Sequence, residues 1–290
     1  MPEQEHWTPD RVARWLRQAA GLERQLAPVS EVLFAAARLE PGESVLDVGC
    51  GTGPTTLAAA ESVGPTGRVV GMDISGEMLA AAASNVPAGV APIEWVEADA
   101  VLWDPTDAAF DVVLSRFGVM FFSDPLAAFS NLARAARPGG RLVIAVWPSR
   151  DESEVFALPL QATVGVLRER AITVLPNGID LDDFLAVDDE GPYSLSDTAR
   201  LTTLLHDAGW SEVRIDRHDL DLLFGGGLAA ADAATAALDF GPTRMALTGA
   251  DDDVTAAAVG AIREAFADHV GADGHVVLSA GVHIVTATRR

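Results

Sequence analysis

Lysine is absent from this 290-residue sequence, and all 20 basic residues are arginine. That absence excludes Schiff-base chemistry, the phosphate-gripping Lys of a P-loop, the kinase Lys and any Tyr/Lys dehydrogenase pair. Cysteine occurs once, as Cys50, so neither an intramolecular disulfide nor a Cys-based zinc site can form. Positive charge is also scarce, with 42 Asp and Glu and a formal net charge of −22. Nucleic-acid binders gain affinity by neutralising phosphates with clustered cations, so this balance argues against nucleic acid and anionic membrane surfaces as partners. There is no apolar run long enough to span a bilayer. The start, Met1-Pro2-Glu3-Gln4-Glu5-His6-Trp7, is polar and acidic, unlike a secretory signal. Together these absences predict a cytoplasmic protein without membrane insertion.

What is present is ample core material: 49% of residues are hydrophobic and 21% charged, enough for one substantial α/β domain with additions. Helical periodicity runs through residues 1–40, at Val12, Trp15 and Leu16 and again from Leu26 to Ala36. Pro41-Gly42 ends that region, and short apolar runs then alternate with helical stretches, the pattern of parallel βα units. Strands are predicted at Ser44–Val48, Arg68–Met72, Ile93–Glu97, Phe110–Leu114 and Arg141–Trp147. Helices are predicted near Thr55–Ser62, Gly76–Asn85 and Leu126–Ala136. Beyond Trp147-Pro148 the pattern predicts a helix around Val155–Arg170 and a loop through Pro176, Gly178 and Gly191-Pro192. A helix then starts at Ser194 or Ser196 and stops at Gly209, and a strand follows over Val213–Phe224. Helices are predicted at Leu228–Phe240 and Val254–Val270, and the run His275–Thr288 reads as a last strand or hairpin.

The chemistry is concentrated in Asp47-Val48-Gly49-Cys50-Gly51-Thr52-Gly53, a glycine-rich turn between a buried strand and a helix. Glycine permits positive φ and close approach of a ligand to the main chain, while a helix N-terminus favours polar or anionic groups. Asp73 ends the second strand, where a carboxylate can accept both hydroxyls of a ribose; Asp99 ends the third, placed for an adenine amino group. Asp47 either anchors a ligand's ammonium group or braces the turn through backbone N–H groups. Cys50 reads either as a reactive thiol or simply as a small side chain that fits. A dinucleotide dehydrogenase is the competing reading of the turn, but its fingerprint requires glycine where Pro54 stands.

The glycine turn, Asp73, Asp99-Ala100, the segment Phe110-Asp111-Val112-Val113-Leu114-Ser115-Arg116-Phe117 and the segment Arg137-Pro138-Gly139-Gly140-Arg141-Leu142 together resemble the class I S-adenosylmethionine (SAM)-dependent methyltransferases. The similarity is greatest to the branch holding ubiquinone/menaquinone-biosynthesis C-methyltransferases and bacterial small-molecule methyltransferases. The resemblance implies an α/β, Rossmann-like sheet of seven strands in the order 3-2-1-4-5-7-6, the last antiparallel. It implies SAM as cofactor, S-adenosylhomocysteine (SAH) as product, and a small-molecule methyl acceptor. The cofactor set it implies is Asp47, Gly49, Cys50, Gly51, Gly53, Asp73, Ile74, Met78, Asp99, Ala100, Ser115, Arg116 and Phe117. A SAM- or SAH-binding protein with a regulatory or non-methylating role is the alternative. Residues 41–147 form the expected core, with 194–224 and 274–290 completing it. Residues 1–40 form an expected helical lid, and 148–193 and 225–273 helical cap insertions.

Around the donor, Met120, Phe121 and Phe122 fit either a sulfonium-facing wall or ordinary core. Arg116 grips either an acidic substrate group or a structural partner. None of His6, His206, His218, His269, His275 and His283 falls in a recognisable catalytic constellation, so no catalytic residue is assigned. Asp251-Asp252-Asp253 reads as the acidic start of a helix and not as a metal cluster. No metal is expected.

Overall fold

The computed structural model describes residues 8–84, 86–105, 109–186 and 191–290. His6, the expected helix end at Asn85 and part of the expected loop before Gly191 lie outside the described residues. The first helix, α1 (Pro9–Ala37), starts where Thr8 accepts a hydrogen bond from the Arg11 N–H and proline fills the first turn. It runs 29 residues as one helix, despite Pro28 in its interior.

The sheet comprises β1 (Ser44–Val48), β2 (Arg68–Asp73), β3 (Ile93–Glu97), β4 (Phe110–Arg116), β5 (Ala136–Val146), β6 (Trp210–Leu223) and β7 (Val277–Arg289). Its order is β3-β2-β1-β4-β5-β7-β6, with β7 antiparallel to both neighbours and the pairs among β1–β5 parallel, as expected. Central strands in such a sheet are covered on both faces, which explains the continuous apolar runs Val45-Leu46 and Val112-Val113-Leu114, all fully buried. Helices α2 (Pro54–Val63), α3 (Gly76–Ala83) and α4 (Pro125–Ala135) connect the parallel strands. Right-handed crossovers that run outward in two directions from β1 place ligands at the strands' carboxyl ends, where the strand order reverses. The closing run is one uninterrupted strand. Gly281 stays in register opposite Asp219, and a Cβ there would stand 2.9 Å from the Glu152 carbonyl oxygen, so the glycine serves close packing and not a turn.

The segments outside the core contain α5 (Glu154–Glu169), α6 (Leu181–Ala186), α7 (Thr198–Asp207), α8 (Ala230–Ala237), α9 (Gly241–Leu247) and α10 (Asp252–Ala267). Asp197 caps α7 by accepting from the Ala199 and Arg200 N–H groups, and Asp251 caps α10 by accepting from Val254. The acidic triplet is therefore a helix start. The single helix expected over Leu228–Phe240 ends at Ala237, and α9 follows as a separate element. Helix α5 from one insertion packs on α9 and α10 from the other. Leu160, Val164, Leu167, Phe184, Ala246 and Val254 form a second apolar cluster, separate from the sheet's core. Among the described residues, no helix is long and apolar enough to cross a membrane.

Arg141 fastens α1 to the sheet. Its guanidinium donates to both carboxylate oxygens of Glu43 (2.7 Å each) and to the carbonyls of Ala37 and Arg38 at the helix's end. A cation at a helix C-terminus is favourable, and the bidentate pair adds directional hydrogen bonds. Burial raises the Glu43 carboxyl, but hydrogen bonds from Arg141 and the Glu40 N–H outweigh it and hold the pKa below its usual value. A depressed carboxylate stabilises above its unfolded pKa and loses that contribution as pH falls through the folded one. Arg141→Met is therefore expected to lower unfolding free energy at pH 7 by about 1–3 kcal/mol. Urea titrations at pH 7 and pH 3 should also show a smaller acid-induced loss in the variant than in wild type.

Candidate functional site

The turn after β1 is held from below. The Gly49 and Cys50 N–H groups both donate to the Met72 carbonyl, at 2.8 and 3.0 Å, joining the ends of β1 and β2. Gly49 has φ 66°, and a Cβ on it would stand 2.7 Å from the Gly118 Cα. Gly118 meets the same limit from the other side, since its Cβ would lie 2.7 Å from the Val48 carbonyl oxygen. The two backbones therefore cross where only glycine fits. Ser115, fully buried at the end of β4, secures the crossing: its hydroxyl donates to the Val48 carbonyl (2.7 Å) and accepts from the Gly118 N–H (3.2 Å). Gly51, with φ 56°, has nothing within 4 Å of where a Cβ would be, so this part of the turn presents bare main chain.

Two carboxylates support the turn differently. Asp47 is fully buried beneath it, with Oδ2 accepting the hydroxyls of Thr55 (2.7 Å) and Thr56 (2.6 Å). Its Oδ1 is buried without a hydrogen-bond partner among the described residues. Burial outweighs the two hydroxyls and raises its pKa from 3.8 to about 6. Asp73 accepts the Gly51 N–H on one oxygen (2.8 Å) and the Ser75 N–H on the other (2.9 Å). Burial raises its pKa, opposed by those backbone donors. Each oxygen retains a second lone pair for an incoming donor.

Above the turn lies a cavity of about 210 Å³. Of the sequence-predicted set, Gly49, Cys50, Gly51, Asp73, Ile74, Met78, Ala100, Arg116 and Phe117 line it. Asp47, Gly53, Asp99 and Ser115 are not among its lining residues. Asp47 and Ser115 brace it from behind, and Asp99 accepts the Val101 N–H in the loop after β3. The Cys50 thiol is buried, and burial together with Asp47 and Asp73 drives its pKa far up. A raised thiol pKa disfavours the reactive thiolate and supports the reading of Cys50 as a small side chain that fits the turn.

The opposite wall is aromatic. Phe117 adopts φ 67°, a left-handed conformation that costs a bulky residue about 1–3 kcal/mol. It stacks on Trp147 with centroids 4.0 Å apart, and Trp147 meets Phe156 edge-on at 5.2 Å. Met120, Phe121 and Phe122 all line the cavity, while Val119 between them and Gly118 is core. Arg116 is committed to a structural pair: it donates to both carboxylate oxygens of Glu23 (2.5 and 3.1 Å) and to the Ser30 hydroxyl (2.5 Å). This joins β4 to α1 at the cavity's edge.

Sequence reasoning missed the site residues contributed by α1. Arg11, Trp15, Ala19, Leu22 and Leu26 all line the cavity. Their spacing places them on one helical face, a periodic signal that is present in the sequence and that core packing would explain as well. Trp147, Phe156, Pro192 and Phe240 arrive from separate segments and carry no shared motif. Among the described residues, no histidine lines the cavity and no group of three or more His, Cys, Asp or Glu is suited to a metal.

Two substitutions test this architecture. Gly118→Ala should cost about 1–3 kcal/mol in urea-induced unfolding, because the added methyl meets the main chain of β1 and neither strand end can retreat. Asp47 has a raised folded pKa, so its contribution is full below the unfolded value and lost as pH rises through about 6. Asp47→Asn is therefore expected to lose less stability than wild type between pH 4 and pH 7, measured by thermal unfolding across that range.

Comparison with known proteins agrees with this geometry. Residues 45–140 match the profile of the methyltransferase-domain family. The chain is 39% identical over 106 residues to a demethylmenaquinone methyltransferase of Shouchella clausii, covering 36% of this chain and 45% of that one. It is 37% identical over 125 residues to an uncharacterized protein of Mycobacterium tuberculosis, covering 43% and 44%. In both cases the match spans less than half the relative's length. Among solved structures, the YcgJ protein of Bacillus subtilis superposes with a TM-score of 0.50 at 18% identity, over 90% of this chain and 97% of that one. A protein named for an antibiotic biosynthesis pathway of Anabaena variabilis gives a TM-score of 0.57 at 17% identity, over 92% and 99%. At these identities the structures establish the fold alone. The profile match spans the glycine turn and its supporting strands, so residues 45–140, about a third of the chain, are similar to a methyltransferase domain.

Proposed function

We propose that the protein moves the sulfonium methyl group of SAM to an O, N or C nucleophile of a small organic molecule by in-line displacement. The observation that carries this reading is one cavity with two unlike walls: bare glycine main chain and Asp73 on one side, stacked aromatic side chains on the other.

The residues present fit the cofactor. Gly51 leaves open space where any other residue would project a side chain, and Asp73 is rigidly oriented by two backbone donors. We assign Asp73 to the ribose hydroxyls, Ile74 and Met78 to the apolar surroundings of the adenosine, and Ala100 to the adenine edge. Asp99 contributes through the loop it shapes, and Asp47 and Ser115 by holding the turn in place. When bound, SAM supplies a methyl group on a positively charged sulfur.

Phe117 and Trp147 provide π faces that favour a cation and keep water from the reacting region. Alignment in a dry, rigid cavity supplies much of the acceleration such reactions need, about 7–11 kcal/mol in favourable intramolecular cases. The leaving thioether is neutral, so no developing negative charge on it requires an oxyanion hole. Residues 1–40 act as a lid and the two insertions as a cap over the acceptor side. The supporting observation is that Arg11, Trp15, Phe156 and Phe240, all outside the matched 45–140, complete the cavity. The demethylmenaquinone methyltransferase relatives are named for small-molecule acceptors, which supports the same class here.

Calorimetric titration with SAM, SAH and NADH tests the reading. Saturable SAM and SAH binding without an NADH response is the expected result. Asp73→Ala should weaken SAH binding by about 1–3 kcal/mol while thermal unfolding shows an intact fold. Wild-type affinity in that variant would overturn the ribose assignment.

A further inference from the structure

Helix α1 carries a buried amide that cofactor binding leaves unused. Gln25 lines the cavity and is only 5% exposed. Its Oε1 accepts the Gly225 N–H at 2.7 Å. That bond fixes which end of the amide is which, because an N–H requires an acceptor and Nε2 carries only donors. Nε2 makes no hydrogen bond to a described residue and is not among the polar atoms sealed inside the protein, so its N–H groups open onto the cavity.

The amide is rigidly seated. One helical turn earlier, Gly21 brings α1 onto the same loop: a Cβ there would stand 2.6 Å from the Gly225 carbonyl oxygen. From the loop side, a Cβ on Gly226 would stand 2.5 Å from the Gly21 carbonyl oxygen. The helix and loop backbones are therefore in contact, and Gln25 bridges them. On either side of it in the helix, Glu23 and Ser30 accept from Arg116, which ties this stretch of α1 to β4. A donor held in this way needs no reordering to meet a ligand, whereas a ligand that buries it unpaired incurs the cost of its desolvation. Around it, Leu22 and Leu26 from the same helix and Trp147, Phe156 and Phe240 from other segments give the cavity apolar surface.

We propose that Gln25 sets acceptor specificity: its Nε2 donates a hydrogen bond to a carbonyl oxygen of the acceptor, whose apolar body packs against Leu22, Leu26 and the aromatic side chains. This deepens the methyltransferase reading and rests on it. Gln25 binds and orients, and no proton leaves the amide. A molecule of the same shape without the oxygen leaves the donor unpaired and is rejected for that reason.

The test titrates the SAH-loaded protein with 2-acetylnaphthalene and with 2-isopropenylnaphthalene, in which a CH₂ group replaces the carbonyl oxygen. Wild type is expected to bind the ketone about three- to tenfold tighter, the range that one neutral hydrogen bond gives. Gln25→Glu at pH 8.5 keeps an oxygen for the Gly225 N–H but has no donor on its other arm, and Gln25→Met has neither. Both variants are expected to lose the preference for the ketone with SAH affinity unchanged, and thermal unfolding identifies the variant that keeps the wild-type fold. Equal affinity of wild type for the two probes, binding of neither, or a preference intact in either folded variant would overturn the proposal. So would a loss of SAH affinity in folded Gln25→Glu, which would assign the donor to the cofactor. Failure of SAH to bind the folded wild-type chain would instead overturn the methyltransferase reading beneath it.

Discussion

The site depends on two backbones meeting at the carboxyl ends of β1 and β4. Gly49 and Gly118 approach so closely that a methyl group on either would stand 2.7 Å from the other strand's main chain. Ser115 locks the crossing with one hydroxyl that donates to Val48 and accepts from Gly118. Everything that faces the cavity from the core side is referenced to this point. It sets the height of the glycine turn, the direction in which Phe117 leaves β4, and the spacing between bare main chain and aromatic wall. The strain at Phe117 is supported here, because the crossing and the Phe117 N–H bond to Ala145 leave its backbone no alternative path.

Around that point the molecule is built in two pieces with separate apolar clusters. The sheet's core holds the turn, Asp73 and Phe117, while α5, α9 and α10 pack together on a smaller cluster of their own. Helix α1 belongs to the first piece by its fastenings, Arg141 at its end and Arg116 at its middle, yet it supplies a face of the cavity. On the function proposed above, the sheet's core would hold the cofactor and the flanking segments would shape the acceptor side.

Much of this was legible in the residues themselves. The buried strands announced themselves as continuous apolar runs, the turn by its glycines, and Asp73 by standing at a strand end a fixed distance on. Asp111 and Arg137, motif residues by resemblance, are ion-paired, and Asp111 also accepts the Ser44 N–H at 2.8 Å, so their role is to join β1, β4 and β5. Boundaries were less legible. The helix expected over Leu228–Phe240 ends at Ala237 and α9 follows it unexpected, and Gly281 suggested an interruption where the strand runs on, because a glycine needed for packing looks the same in sequence as one needed for a turn.

The sequence by itself determined most of the strands and the glycine turn, because those follow from periodicity and from local residue types at short spacing, while the strand order came from the resemblance those motifs carry. Only the tertiary structure decided which side of each ambiguity held. It paired Arg116 with Glu23, 93 positions away, instead of leaving it for substrate. It placed Asp47 beneath the turn, with Thr55 and Thr56, instead of in the cavity. It also brought Arg11, Trp147, Phe156 and Phe240 to one cavity. These are contacts between distant segments, fixed by the packing of helices on the sheet, and no local pattern encodes them.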